Sequence, residues 1–497
     1  MNANLLQIFT RIYLGERSLE LGRPATLSDI PDWAIDQWAA AGFHIIWMLG
    51  IWQTGDTGRN VSRTQTEWLT GFRHTLPDFT EADICGSPFA ITDYALHQDF
   101  GNDEDLAKFR DRLHQRDLRL LLDFVPNHTA IDHPWVTRNP EFYVDGSIQD
   151  LRDSPQNYFP VETDSGPRIL AHGRDPNFYG WPDTAQLNYR LTDVHRAMQT
   201  QLTRIAAVCD GVRCDMAMLV LPEVFRRTWN QRPRSDDLAT ELDSFWLSAI
   251  PQIRKLHPEF IFMAEVYWDM ERELLQQGFD LAYDKRLYDG LRSQNVAAVG
   301  SHLLADVSFQ NQLVRFLENH DEQRAAQTFD DPVHKSAAII TYLNPGLRFF
   351  YDGQFTGRKA HASVHLGRRA IEDRNADIEA FYQKLLHCLQ HPAVGHGHWE
   401  RRTCHRAWAD NPTSDPFLAW TWELAEHWLL VVVNYAGQRG QCRVPWERSS
   451  FQNQSLLLQD LMDDQAYVRD GNELIHPGLY VDLPAWGYHV FKGAIHR

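Results

Sequence analysis

Asp215, Glu265 and Asp321 each end a short apolar run: Gly211 to Asp215 reads GVRCD, Phe260 to Glu265 FIFMAE and Val314 to Asp321 VRFLENHD. A fourth run, Leu121 to His128 (LLDFVPNH), ends in polar residues in the same way. Cleaving a glycosidic bond needs two carboxyls in distinct roles, one attacking or stabilising the anomeric carbon and one protonating the leaving oxygen. A close pair would give retention and a wider pair, with room for water, inversion; spacing in sequence leaves both open. One Asp or Glu taken alone is usually a solvated loop residue, so the weight rests on three in register. Arg213 lies two residues before Asp215, and strand alternation places both side chains on one face, where a guanidinium could orient a nucleophile.

Such groups need elements that converge. Buried parallel strands read as continuous apolar runs, and an enzyme barrel carries its chemistry just past their C-terminal ends. Strand-like runs begin near Leu5, His44, Leu118, Gly211, Phe260, Phe279, Leu313 and Leu347. Helical spacing lies between them, in Leu106, Phe109 and Leu113 and again in Val194, Met198, Leu202 and Ile205. Eight such units predict a closed (β/α)8 barrel rather than an open sheet. From His128 to about Asn188 the chain shows no strong periodicity and is crowded with Pro, Gly, Asp, Asn and aromatic residues, the mark of a functional insertion after the third strand. After Gln390, short strands such as Trp428 to Asn434 and Tyr480 to Phe491, with no helical stretch between them, predict a C-terminal antiparallel β-sandwich. The expected division is a barrel over 1–127 and 190–390, an insertion over 128–189 and a terminal domain over 391–497.

Composition narrows the partners. The 497 residues are 43% hydrophobic and 23% charged with a formal net charge of -18, so nucleic acid and anionic membrane surfaces are repelled. Neither a signal-peptide pattern nor a stretch long and apolar enough to span a bilayer is found. Six cysteines without CxxC pairs suit a reducing compartment, and a cytoplasmic location is expected.

Taken together, the four runs resemble the α-amylase superfamily, glycoside hydrolase family 13. Asp123-Phe124-Val125-Pro126-Asn127-His128 resembles its first motif, Gly211-Val212-Arg213-Cys214-Asp215 its second, Glu265 its third and Asn319-His320-Asp321 its fourth. Gly353-Gln354 matches a pair common after the eighth strand, and Gln186-Leu187-Asn188 resembles a more variable fifth motif. The resemblance implies that Asp215 is the nucleophile of a covalent glucosyl-enzyme, Glu265 the general acid and then base, and Asp321 a group that binds sugar hydroxyls and distorts the ring. It further implies that Arg213 positions Asp215, that His128 and His320, with Asn319, contact the sugar, and that Asp123 is structural. Calcium is possible through Asn127, helped by Asp175 or Asp183, because hard cations take oxygen ligands; no cofactor is required.

The chain also departs from that pattern. Phe89 stands where a stacking tyrosine is common, and a phenyl ring still offers a flat face to a pyranose. Ala90 stands where exo-acting glucosidases often carry an acid, and Met218-Leu219 replace a Lys-His pair that helps bind the leaving-group side. Arg358, Lys359, His361, His365, Arg368 and Arg369 could take phosphate or an anionic sugar, although a basic loop is more often simply solvated. Trp47, Trp52, Trp68 and Trp181 could be sugar platforms or core residues. The expected function is a retaining hydrolase of α-glucosidic bonds, such as α-1,4-glucans or maltooligosaccharides. The alternative is a glucosyltransferase or phosphorylase with the same intermediate, and a third reading is a non-catalytic glucan-binding homologue. Substrate, linkage, cleavage mode and oligomeric state are not legible.

Overall fold

The computed structural model describes residues 3–229 and 244–495. Eight strands close a parallel barrel: β1 (Asn4–Phe9), β2 (Ile45–Leu49), β3 (Arg119–Phe124), β4 (Gly211–Cys214), β5 (Ile261–Ala264), β6 (Leu281–Tyr283), β7 (Leu313–Arg315) and β8 (Leu347–Tyr351). Their order round the barrel is β1-β8-β7-β6-β5-β4-β3-β2. Each begins within two residues of the position expected from the sequence. Apart from half-buried Arg119, every residue in these strands is buried, which is why they read as unbroken apolar runs rather than alternating ones.

The helices that cover the barrel carry their apolar residues at helical spacing. In Asp103–His114, Leu106, Phe109 and Leu113 are buried, and Asn102 caps the first turn by accepting from Glu104 N and Asp105 N while Asp105 reaches back to Asn102 N. Thr192–Val208 buries Val194, Met198, Leu202 and Ile205. Inside the barrel, rings plug the floor beneath the strand ends: Trp47 lies 5.6 Å from Phe349, and Tyr283 lies 5.4 Å from Phe316 and 6.0 Å from Phe349. That plug makes a dry, weakly polarisable base under any charge placed on it.

Two excursions build the wall above this floor. Between β2 and β3 the chain forms the helices Asp56–Thr64 and Thr66–Thr75, which the sequence pattern did not reveal. After β3, His128–Ala130 pairs antiparallel with Thr184–Gln186, and Tyr158–Thr163 folds back on Gly166–Ala171. Strands of three to six residues leave no periodic signal.

The C-terminal sheets need two corrections. Tyr480 to Phe491 is not one strand: Leu479–Leu483 belongs to a three-stranded sheet and Tyr488–Ile495 to a six-stranded one. A five-residue helix, Gly471–Ile475, also interrupts the β region. His427–Asn434 is buried almost throughout because the six-stranded sheet is a middle layer. Leu429, Val431 and Val433 pack into the barrel-side core, while Trp428, Leu430 and Val432 pack into the core of the outer sheet. Trp420 and Trp422 both donate to Leu343 O, at 2.9 and 2.8 Å, and tie that layer to the barrel.

Candidate active site

Arg213 is the centre of the site. Its side chain is fully buried, donating from Nη1 to Asp215 Oδ1 at 2.8 Å and from Nη2 to Glu265 Oε2 at 2.7 Å. Asp321 Oδ2 lies 3.9 Å from Nη2 and Asp123 Oδ1 3.8 Å from Nη1. The ring plug meets the guanidinium from one side, with Trp47 at 5.4 Å, and Phe89 stands 5.2 Å away. The three carboxylates read from separate strand ends thus converge on one cation, and register explains how: Arg213 in β4 sits opposite Asp123 in β3 and Met263 in β5. Fully buried, Arg213 holds Asp215 and Glu265 from beneath.

Glu265 has both oxygens engaged. Oε2 also accepts from Met216 N at 2.7 Å, and Oε1 accepts from Tyr267 OH at 2.9 Å. Burial, with Asp215 and Asp321 as negative neighbours, pushes its carboxyl up to about 7 against the pull of Arg213. Asp321 goes the other way. Burial would raise it, but His320 and Arg213 outweigh that and hold it at about 2. Met216 reaches Glu265 because it adopts a left-handed conformation, φ 41° and ψ 48°, which is uncommon for a side chain of this kind.

The remaining predicted residues divide. Phe89 and His128 line the site; His128 packs 5.2 Å from Trp181, and burial lowers it to about 4, so it is neutral at pH 7. His320 is held from behind by Gln7, whose Nε2 lies 2.8 Å from Nδ1, and its Nε2 lies 3.0 Å from Asp321 Oδ2. Its side chain is fully buried against Asp321. Asn319 Oδ1 accepts from Asp321 N at 2.8 Å and Glu322 N at 2.9 Å, shaping the turn that presents Asp321. Asp123 is structural as expected, accepting from Gly50 N at 2.8 Å. Met218 and Leu219 are buried in the core and do not reach the site.

The cavity above these groups measures about 310 Å³ and is lined by Trp68, Phe89, Trp181, Tyr267, Asp215, Glu265, Asp321, Asp183, His128 and His365, among others. Trp68 and Trp181 line this cavity, whereas Trp47 and Trp52 are buried core. A more open depression of about 640 Å³ lies at the opposite, N-terminal end of the strands, around Arg119, Asp210 and Phe260, and holds none of the candidate residues. Sequence reasoning missed Tyr267, whose signal was its place two residues after Glu265. It also passed over Asp183 as anything but a cation ligand, because nothing in the insertion's pattern points into the site.

At Asn127 the oxygens that could hold calcium face an amide. Gln186 Nε2 donates to Asn127 O at 2.8 Å, Asn127 Oδ1 at 3.0 Å and Leu187 O at 3.0 Å. Three buried carbonyl oxygens converging on one point need either a cation or a donor, and the Gln186 amide is the donor. Asp175 is spent on its own turn, accepting from Asn177 N at 2.6 Å. The basic loop is also largely committed: Arg368 pairs with Asp78 and Asp83, Arg369 with Glu16 and Asp352, and Arg358 lies 3.9 Å from Glu372. His361 contacts His320 O at 2.8 Å, and His365 contacts Ser62 Oγ at 2.9 Å.

Residues 68–436 match the family model of the alpha amylase catalytic domain. The chain belongs to the α-amylase family. Within that family it is 26% identical over 284 residues to Alpha-amylase MalA of Haloarcula japonica, a match covering 54% of this chain and 36% of the relative. It is 28% identical over 195 residues to Alpha-1,4-glucan:maltose-1-phosphate maltosyltransferase 2 of Streptomyces coelicolor, covering 38% of this chain and 28% of the relative. The chain thus spans only about a third of the length of these two curated relatives. The crystal structure of an alpha-amylase from Lactobacillus plantarum superposes over 99% of this chain and 98% of that one, with a TM-score of 0.67 and 20% identity, a likeness of fold. Among the described residues no helix is long and apolar enough to cross a membrane, and all six cysteines are free.

Proposed function

We propose that the chain is a retaining hydrolase of α-glucosidic bonds that works by double displacement on α-glucans or maltooligosaccharides. The observation that carries this reading is the single guanidinium of Arg213 bonded at once to Asp215 and Glu265 beneath a cavity of sugar size. Two carboxylates on neighbouring nitrogens of one side chain support the close pair that a covalent intermediate calls for. Asp215 attacks the anomeric carbon. Its Oδ1 is held by Arg213, and its other oxygen takes no hydrogen bond among the described residues. Glu265, raised to about 7 by burial, keeps a protonated fraction at neutral pH that passes its proton to the leaving oxygen. Once the leaving group has gone, the same carboxylate draws a proton from water, which attacks from the vacated side. Asp321, whose side chain is 40% exposed at the mouth, accepts hydroxyls of the sugar, and Phe89 and Trp181 offer it apolar faces.

The transfer reading differs only in what resolves the intermediate, and its support is the similarity to a maltosyltransferase. A phosphate acceptor loses its support, because the arginines of the loop after β8 are occupied by carboxylates. The six free cysteines support a reducing, cytoplasmic setting. Incubation with maltooligosaccharides, isomaltose, trehalose and sucrose, with and without phosphate, followed by NMR of the first product, tests the reading. The α-anomer of a free sugar is expected; a β-anomer, or products formed only with an added acceptor, would overturn it. Asp215→Asn should abolish turnover without unfolding the chain.

A further inference from the structure

Asp183 lines the cavity from the insertion, immediately before the strand Thr184–Gln186. It is 3% exposed, and its Oδ2 has no hydrogen-bond partner among the described residues. The polar side chains around it are mostly engaged. Thr184 Oγ1 donates to Trp181 O at 2.8 Å and accepts from Gly173 N at 3.0 Å, Ser87 Oγ accepts from Phe89 N at 3.2 Å, and both oxygens of Glu265 are bonded. Burial and the nearby Asp132 push Asp183 up to about 6, the mark of a carboxylate that the fold itself does not satisfy. Position adds to this. A Cβ on Gly58 would stand 3.6 Å from both Ala90 Cβ and Asp183 Cβ, so Asp183 is seated beside the Phe89–Ala90 segment that floors the cavity.

Water is already kept from Asp183 Oδ2, and a buried carboxylate without a donor costs free energy. A neutral sugar hydroxyl supplies that donor. No lysine or arginine lines the cavity among the described residues, and burial lowers both lining histidines, His128 to about 4 and His365 to about 3. Asp183, Asp215 and Asp321 therefore face a ligand without a compensating cation at the surface, Arg213 being sealed beneath them. An anionic substituent on the bound unit would meet only like charge.

We propose that Asp183 is a specificity-determining residue of this site, accepting a hydrogen bond from a hydroxyl of a neutral sugar unit bound over Phe89, and that the cavity refuses glycosides phosphorylated on that unit. The inference rests on the α-glucoside reading above. Its test is kcat/KM for an aryl α-glucoside, its 3-, 4- and 6-deoxy counterparts and its 6-phosphate, measured on the wild type, Asp183→Asn and Asp183→Ala. On the wild type one deoxy position should cost roughly 10- to 150-fold, the worth of a hydrogen bond to a charged group. On Asp183→Ala the same position should cost less than about threefold, with a parent substrate already slowed by a similar factor. The near-isosteric Asp183→Asn carries the comparison if the alanine variant fails to fold. Equal deoxy penalties in wild type and variants, or turnover of the 6-phosphate as fast as of the parent, would overturn the assignment of Asp183. A wild type inert to every aryl α-glucoside would instead overturn the hydrolase reading on which it rests.

Discussion

Replacing Arg213 by methionine keeps much of the side-chain stem and removes the charge on which the site is assembled. Two charge-assisted hydrogen bonds disappear, at 2.8 and 2.7 Å, and each is worth about 1.5–3 kcal/mol. The sum of about 3–6 kcal/mol agrees with the roughly 3–5 kcal/mol lost when one partner of a buried ion pair is removed. Against a typical total of about 5–15 kcal/mol, that is a large share. The loss should depend on pH. Asp123, at about 6, and Glu265, at about 7, are both pulled down by Arg213 and both lie above their ordinary 3.8 and 4.5. Without the guanidinium they rise further, so the folded variant binds more protons than the unfolded chain and its stability falls as pH rises. The gap between wild type and variant should therefore be widest near pH 8 and shrink toward pH 5. Denaturant midpoints across that range read it directly, and activity should fall by roughly 10³-fold or more. A gap under about 1 kcal/mol at pH 8, or one that grows on acidification, would refute the account of Arg213 as the cation that holds the carboxylates together. Arg213→Lys should recover little, because one ammonium cannot bridge two carboxylates as a planar fork does.

Glu265 should set the basic limb of kcat/KM near pH 7, and Glu265→Gln should lose that limb while costing least with activated leaving groups such as nitrophenol; equal losses for activated and natural leaving groups would count against an acid role. Chelators should leave the melting temperature of the wild type unchanged, since the Gln186 amide already stands among the three oxygens at Asn127 and Leu187. Gln186→Glu should in contrast become calcium-dependent in thermal denaturation; a wild type that melts lower in chelator would refute this. Gly211→Ala should destabilise by about 1–3 kcal/mol and depress activity with it, because the new methyl would sit 2.7 Å from both Ile261 O and Ile261 Cβ and push β4 away from β5 two residues before Arg213; an unchanged denaturant midpoint would show that the strand gives way without consequence.

The barrel was legible because its strands are buried on both faces and so leave unbroken apolar runs, and the three carboxylates were legible because they stand where those runs end. Arg213 was read correctly as the partner of Asp215, since strand alternation is local. What its second nitrogen does was not legible, because the Glu265 contact joins residues 52 apart through the register of β4 on β5. The same limit holds elsewhere in the site. Asn319, His320 and Arg213 sit inside motifs, and a motif does not say which of its members faces the cavity and which stands behind. Asn127 looked like a metal ligand because its partner Gln186 lies 59 residues away. Asp183, Trp68 and Trp181 come from loops and short strands, where no period tells inside from outside. The middle layer of the terminal sheets was obscured for a related reason: a strand covered on both faces looks the same whether it is covered by helices or by another sheet.

One arginine bonded equally to Asp215 and Glu265 does not by itself make one an attacker and the other an acid; the difference must come from everything else around each group. For Glu265 the surroundings are Asp215 and Asp321 on one side and the ring plug beneath, all of which disfavour a charge, and the result is a carboxyl at about 7. Asp321 stands 3.9 Å from the same guanidinium but opens to solvent and rests on His320, which is pinned in turn by Gln7, and it stays near 2. The carboxyl that keeps a protonated fraction at neutral pH is therefore the one whose oxygens Tyr267 and Met216 N hold, 2.9 and 2.7 Å away. A proton donor must be both loaded and aimed, and the left-handed turn at Met216 is what brings the aiming amide within reach. It follows that pH dependence and geometry at Glu265 are set by different residues. Tyr267→Phe should loosen the aim and lower kcat with the basic limb still near pH 7, whereas Gln7→Leu, acting through His320 on Asp321, should weaken sugar binding and leave both the aim and the limb in place.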